Sequence, residues 1–242
     1  MKEIKLMPNS QSDKLAVRPG ASLVNARIQV AITDKILKSI RNVKPSIFDN
    51  FTDQRDGNVY KTVKIGDQVW MAENFRYIPH VYPANENGGI WVYGFEGKNV
   101  LIAIEEENYK EFGCLYNWET AISVTPKGWH LPTEKEWSIL IDSLGGMWEA
   151  GGKLKLLTGW RNDICHEKPT NETGFSADGC GCRSIFNHYE NLRWVSYLWS
   201  GTSINNSTAH NTYLNYMDHY AAIHESYKNF GFGVRYLKDI IS

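Results

Sequence analysis

Trp137, Leu140, Ile141 and Leu144 recur at spacings of three and four, which puts them on one face and predicts a helix over residues 133–144. Thr133-Glu134-Lys135-Glu136 opens it as a capping box, in which the Thr133 and Glu136 side chains satisfy backbone donors at each other's end of the turn. Gly145-Gly146 stops it. A shorter helix is expected over residues 116–124, ended by Pro126. The β-rich runs Val59-Tyr60-Lys61-Thr62-Val63-Lys64-Ile65 and Gln68-Val69-Trp70-Met71 flank Gly66-Asp67 and predict a hairpin with a tight turn. Residues 83–97 are turn-rich and read as a loop with a short strand at 90–93. Beyond Gly151 the regular signals thin to three short β-like runs, at residues 192–199, 212–217 and 233–237. Two helices and short antiparallel strands amid long irregular loops, with no βαβ alternation, give the class α+β.

Residues 1–50 read differently. They hold no Trp or Tyr, and residues 21–40 form an amphipathic stretch that Pro45 closes. We divide the chain into an appendage over residues 1–50, partly ordered or serving attachment or oligomerisation, and a domain over residues 51–242.

Composition narrows the functions. The 242 residues are 42% hydrophobic, and 26 Lys and Arg against 27 Asp and Glu leave a formal charge of −1. That balance supplies no field for a phosphate backbone or an anionic membrane surface. No stretch approaches the roughly 18 apolar residues of a membrane span, so neither nucleic acid nor membrane insertion is expected. Residues 1–20 lack the apolar core of a secretory leader. The chain as written is therefore expected to stay in the cytoplasm, to leave by another route, or to have lost a leader. Four cysteines, Cys114, Cys165, Cys180 and Cys182, are too few for a disulfide scaffold of this length.

Ordered blocks along residues 56–239 carry a family likeness. They are Asp56-Gly57-Asn58-Val59-Tyr60-Lys61-Thr62-Val63-Lys64-Ile65-Gly66, Gln68-Val69-Trp70-Met71-Ala72-Glu73-Asn74, Val92-Tyr93-Gly94, Leu115-Tyr116-Asn117-Trp118, Gly128-Trp129-His130-Leu131-Pro132-Thr133, Glu136-Trp137, Leu144-Gly145-Gly146, Gly151-Gly152-Lys153-Leu154-Lys155, Thr170-Asn171-Glu172-Thr173-Gly174-Phe175, Trp199-Ser200-Gly201-Thr202 and Gly231-Phe232-Gly233-Val234-Arg235. In these the chain resembles the Fibrobacter succinogenes major paralogous domain. The resemblance implies a C-type lectin-like fold, related to the formylglycine-generating enzyme domain and to the variable proteins of diversity-generating retroelements. The capped helix would be the second of that fold's two helices, and the final strand would carry Val234 and Arg235. Members are best described as binding or surface-display proteins of bacteria and their phages, which suggests a surface or virion association.

Several residues invite chemistry. Formylglycine-generating relatives use paired cysteines on copper, and thiolates select Cu(I). Cys180-Gly181-Cys182 with Cys165-His166 is the matching candidate here, against a bland reading of buried or incidental thiols. His130, inside a fold signature block, reads as a packed, hydrogen-bonded histidine rather than a base. Glu105-Glu106-Glu107 are consecutive and cannot form an acid–base couple on one helix face. Calcium-dependent sugar binding needs converging oxygen ligands. The Glu-Pro-Asn and Gln-Pro-Asp triplets of calcium lectins are missing, and Trp160-Arg161-Asn162-Asp163 is only a faint match to their Trp-Asn-Asp block. No cofactor is expected.

Residues 187–224 stand out. They hold four of the seven histidines, are crowded with Asn, Ser, Thr and Tyr, and contain only Glu190 and Arg193 among Lys, Arg and Glu. Tyrosine among small hydrogen-bonding residues is the mixture of paratopes, because it offers large contact area for little lost rotamer freedom. The candidate ligand-binding residues are Tyr189, Asn191, Arg193, Trp194, Tyr197, Asn205, Asn206, His210, Asn211, Tyr213, Asn215, Tyr216, Asp218, His219, Tyr220 and His224. About half the set is expected on the surface, with Trp194 and Trp199 the first expected to pack. Retroelement variable proteins change at adenine-containing codons near the C-terminus, and the resemblance extends that reading to Asn205, Asn206, His210, Asn211, Tyr213, Asn215, Tyr216, Asp218, His219, Tyr220 and His224. The expected function is non-catalytic binding of a protein or glycan on another surface, with a homo-oligomer through the appendage possible. The alternatives are a copper oxidase of the formylglycine-generating type and a structural component of an extracellular or phage assembly.

Overall fold

The computed structural model describes residues 49–161 and 168–240. Most of the appendage, together with Asn162, Asp163, Cys165 and His166, lies outside these. The expected hairpin is present: β2 (Val59–Ile65) and β3 (Gln68–Met71) pair in antiparallel register with Ile65 opposite Gln68. Gly66 takes the positive φ of 60° that the turn requires. β1 (Asp49–Thr52), which begins two residues before the expected domain boundary, adds to the outer side of β2.

The hairpin nucleates a five-stranded sheet of order β1-β2-β3-β12-β6. Here β6 is Trp129–His130 and β12 is Leu237–Lys238. A second sheet has three antiparallel strands in the order β11-β10-β9. These are β9 (Val195–Ser203), β10 (Thr208–Asn215) and β11 (Ala221–Tyr227). Two-stranded pieces, β4 (Ile90–Trp91) with β5 (Leu115–Tyr116) and β7 (Cys182–Arg183) with β8 (Tyr189–Glu190), complete the strands. The class is α+β.

Five helices, not two, occur among the described residues: α1 (Val100–Ala103), α2 (Glu107–Phe112), α3 (Trp118–Ser123), α4 (Glu134–Ser143) and α5 (Ala150–Leu154). The additional ones run four to six residues, too short to show an apolar period. The capped helix is therefore the fourth. Its box is formed: the Glu136 N–H donates to Thr133 Oγ1 at 3.3 Å, and the Thr133 N–H donates to Glu136 Oε2 at 2.8 Å. Burial works against the Glu136 charge, but the Thr133 N–H and hydroxyl and the His130 imidazole hold its carboxyl below the ordinary 4.5. The final strand is corrected too. Val234 and Arg235 lie in no strand: Gly231–Gly233 make only isolated bridges, to Arg183, Tyr116 and Leu198, and ladder pairing resumes at Leu237–Lys238.

α4 lays Trp137, Leu140 and Ile141 against Leu198, Leu214 and Ala221 on one face of the three-stranded sheet. Trp70, Trp137 and Phe175 meet beneath it, with the two indoles 4.6 Å apart. A second core cluster gathers Tyr60, Phe75, Tyr116 and Tyr236, with Phe75 edge-on to Tyr236 at 4.8 Å.

Arg235 joins the parts. It is fully buried. Its Nε donates to Asn74 Oδ1 at 2.6 Å, and its terminal nitrogens donate to the carbonyls of Phe175 at 2.7 Å and Ser176 at 2.9 Å. Asn74 Nδ2 in turn donates to Asp178 Oδ1 at 2.8 Å and to the Phe112 carbonyl at 3.0 Å. Burial raises the Asp178 carboxyl to about 7 against the pull of Arg235, 3.7 Å away, and of the Asn74 amide.

Thr133→Ala should cost about 1 kcal/mol of stability in denaturant unfolding. The Glu136 contribution, removed by Glu136→Gln, should be present above pH 4.5 and fade as pH falls through the lower folded value, because the folded state favours the carboxylate. Arg235→Leu should cost about 3 to 5 kcal/mol at pH 8, where Asp178 loses its cation. The loss should shrink at pH 5, where a protonated Asp178 needs none; a loss independent of pH would show that the ion pair carries none of it.

Candidate functional site

The register of β9, β10 and β11 decides which predicted residues meet. Tyr197, Tyr213 and Ala222 stand opposite one another across the three strands, as do Trp199, Asn211 and His224. This face is turned away from α4. At its centre the Tyr213 ring lies 5.5 Å from Tyr197 and stacks on His224 at 4.9 Å, with 14° between planes. Tyr220 adjoins Tyr213 at 6.2 Å and meets Trp148 at 4.9 Å. On the other side Tyr197 stacks on Phe232 at 4.7 Å, and Phe232 on Phe230 at 5.2 Å. The result is a continuous path of rings across the sheet, from Trp148 to Phe230.

The path carries no charge at neutral pH. Lost hydration raises the Tyr197 and Tyr213 hydroxyls above their ordinary value. The same cause lowers the His224 imidazole, whose ring lies on Tyr213. Tyrosine hydroxyls and a neutral imidazole can both donate and accept hydrogen bonds, beside apolar ring surface.

Other predicted residues are distributed around this path. Asn191, Trp194, Asn205, Asn206 and His224 are exposed, and Tyr189, Arg193, Tyr197, His210, Tyr213, Asn215, Asp218, His219 and Tyr220 are half-buried. Asn211 and Tyr216 are buried, the first because its amide donates to Ser226 Oγ and the His224 carbonyl, the second because its ring packs with Leu214 in the α4 core. Trp199 is buried as expected. Trp194 is corrected: it is 43% exposed, just before β9, its ring tilted against Tyr216 at 5.5 Å and under Arg161 at 4.4 Å. Tyr189 belongs elsewhere, packed on Tyr93 with its hydroxyl on the Phe95 carbonyl. Asn205 and Asn206 sit at the far end of the sheet. Asn205 Oδ1 there accepts from the Ser207 and Thr208 N–H groups, and Asn206 lines an open polar cleft of about 450 Å³ with Tyr227 and Asn229.

Trp148, 69% exposed, and Phe230 were not anticipated. Trp148 follows a glycine pair in an irregular loop, and the N–H of Ala221 on the Met147 carbonyl brings that loop to β11. The spacing of Tyr197 with Trp199, and of Asn211, Tyr213 and Asn215, was a legible period-two signal for a shared face.

The remaining candidates behave as structure. His130 is half-buried between Glu136 (3.0 Å) and Asp239 (2.7 Å). Glu105, Glu106 and Glu107 are exposed, and Lys110 bonds Glu105. Cys114, Cys180 and Cys182 are free and buried. Burial raises the Cys114 thiol and pushes those of Cys180 and Cys182 up to about 12. They are thus thiols at neutral pH, whereas the thiolate is the metal ligand and nucleophile. Among the described residues no three His, Cys, Asp or Glu side chains converge as a metal site.

Comparison with known proteins gives one result: the model of the Fibrobacter succinogenes major domain matches residues 63–238. No curated protein and no solved structure matches the chain.

The buried thiols generate a direct expectation. In the native protein at pH 8, Cys114, Cys180 and Cys182 should resist a thiol-alkylating reagent and become labelled only on unfolding, as read by peptide mass. Rapid native labelling of Cys180 or Cys182 would show that the site opens.

Proposed function

We propose that this chain, which belongs to the Fibrobacter succinogenes major domain family, is a non-catalytic binding protein that recognises a protein or glycan on another surface through the open face of β9, β10 and β11. The observation that supports this most is the uncharged ring path from Trp148 through Tyr220, Tyr213 and Tyr197. Half-exposed rings on a rigid sheet combine apolar contact area with hydroxyl and imidazole hydrogen bonding, and lose little freedom on binding. Recognition works by shape and hydrogen-bond complementarity, with no bond made or broken.

The sequence of the central strand supports a finer reading, in which this segment is a diversified one. Of the six buried side-chain polar atoms without a partner among the described residues, four belong to β10: Thr208 Oγ1, His210 Nδ1, Asn211 Oδ1 and Thr212 Oγ1. Each such atom costs about 1 to 3 kcal/mol. A strand selected for stability alone would bury apolar side chains there. Three of the four alternate with Leu214 on the side facing α4, so the reading rests instead on the front-face Asn211, Tyr213 and Asn215, residue types that adenine exchange yields, and near-repeats of the 3′ end of the gene, differing at adenines, would be its genetic trace.

Arrays of purified glycans and of cell-surface proteins, probed with the full chain, test the function. Tyr213→Ala, Tyr220→Ala and Trp148→Ala should each weaken the interaction found by tenfold or more, about 1.4 kcal/mol. Ile139→Ser on α4, behind the sheet, should leave it unchanged. Equal affinity in all four variants would refute this face as the binding surface.

A further inference from the structure

The turn between β10 and β11 carries the outer end of the ring path, and the block Gly151–Lys155 lies directly beneath it. Lys155 is 1% exposed, and its ammonium donates to the carbonyls of Asn215, at 2.9 Å, and Asp218. The Trp160 ring lies 5.5 Å from the same nitrogen. Above it the turn is tied by its own side chains. Asn215 Oδ1 accepts from the N–H groups of Met217 and Asp218, and Asp218 Oδ1 accepts from Asn215 Nδ2 and the Tyr220 N–H. The Gly151 N–H donates to the His219 carbonyl at 2.8 Å. A Cβ on Gly151 would stand 2.6 Å from the carbonyl oxygens of both His219 and Tyr220, and one on Gly152 would stand 2.5 Å from the His219 ring.

We infer that Gly151–Lys155 is a cradle that presets the recognition turn, with Lys155 as its positioning residue: a fixed cation of the chain's own holds the carbonyls of Asn215 and Asp218 and so fixes where Tyr220 meets Tyr213 and Trp148. Converging carbonyl oxygens are ligands for a hard cation. An ammonium, with three donors on a four-carbon stem, meets the same need from within the chain. The glycines are small because the turn's backbone rests on them, and the lysine is buried because its ligands are main-chain atoms. This inference rests on the binding face proposed above and assigns the residue that preorganises it.

Hydrogen–deuterium exchange of the full chain, read on peptides covering residues 214–222 and, as an internal reference, α4, tests the cradle without any ligand. Lys155→Met keeps the length and removes the charge. Exchange in the turn should rise at least tenfold while α4 stays within twofold, and the near-ultraviolet circular dichroism of the Trp148–Tyr220 pair should fall. Lys155→Arg, which restores a cation, should recover part of the protection. Unchanged protection in Lys155→Met, or an equal rise in α4, overturns the inference. Should Lys155→Met fail to fold, Gly151→Ala decides, since it pushes on the turn with the ammonium in place: a rise confined to residues 214–222 supports the cradle, and none overturns it. Since exchange needs no partner, a failure here leaves the proposed binding face standing, and a failure of the binding experiments leaves the cradle measurable.

Discussion

The carbonyl groups of long irregular loops must find donors, and in this molecule three buried cations supply them. Arg235 serves the carbonyls of Phe175 and Ser176, Arg183 those of Ala84 and Asn229, and Lys155 those of Asn215 and Asp218. A buried main-chain group without a partner costs as much as a lost hydrogen bond, and regular ladders do not reach these segments. Long side chains with several donors reach across such gaps and tie one loop to another. Their charge is tolerated where it meets rings or acids: Arg183 lies 4.6 Å from the Trp91 ring, and Arg235 lies 5.1 Å from Phe175 and 3.7 Å from Asp178.

This arrangement decides what the fold can do. The hairpin, α2, the loop at residues 174–178 and the return of the chain at Arg235 become one body through Asn74 and Asp178. The three-stranded sheet rests on that body through α4 and the Trp70, Trp137 and Phe175 cluster. One face of the sheet is thus committed to the α4 core, and on the other Trp199 packs into the second core cluster while Tyr213, Tyr220 and His224 remain half-buried or exposed. Alternate residues of a strand point to opposite sides, so the two faces carry different residues.

Legibility followed the length over which a signal repeats. The β2–β3 hairpin and α4 were readable because two strands with a glycine turn, and three turns of helix with a capping box, each carry several agreeing marks. α1, α2 and α5 were not, since four to six residues hold too little periodicity, and β11 was hidden because Ala221-Ala222-Ile223-His224-Glu225 alternates weakly. The exposure of Trp194 was misread because composition treats tryptophan as core. Just before β9, between Arg161 and Tyr216, its indole is held at the surface by neighbours distant in sequence.

The amino-acid order by itself determined the class of fold, the family, the near balance of charge, and the enrichment of residues 187–224 in tyrosine and amides. These properties are local or compositional, and each is written in a contiguous stretch. Tertiary structure alone decided that Tyr197, Tyr213, Tyr220 and His224 form one path while Tyr189 and Asn206 stand apart, that Trp148 completes it, and that Lys155 lies beneath it. Strand register and the docking of an irregular loop set those meetings, and both depend on contacts between residues tens of positions apart, which no local pattern encodes.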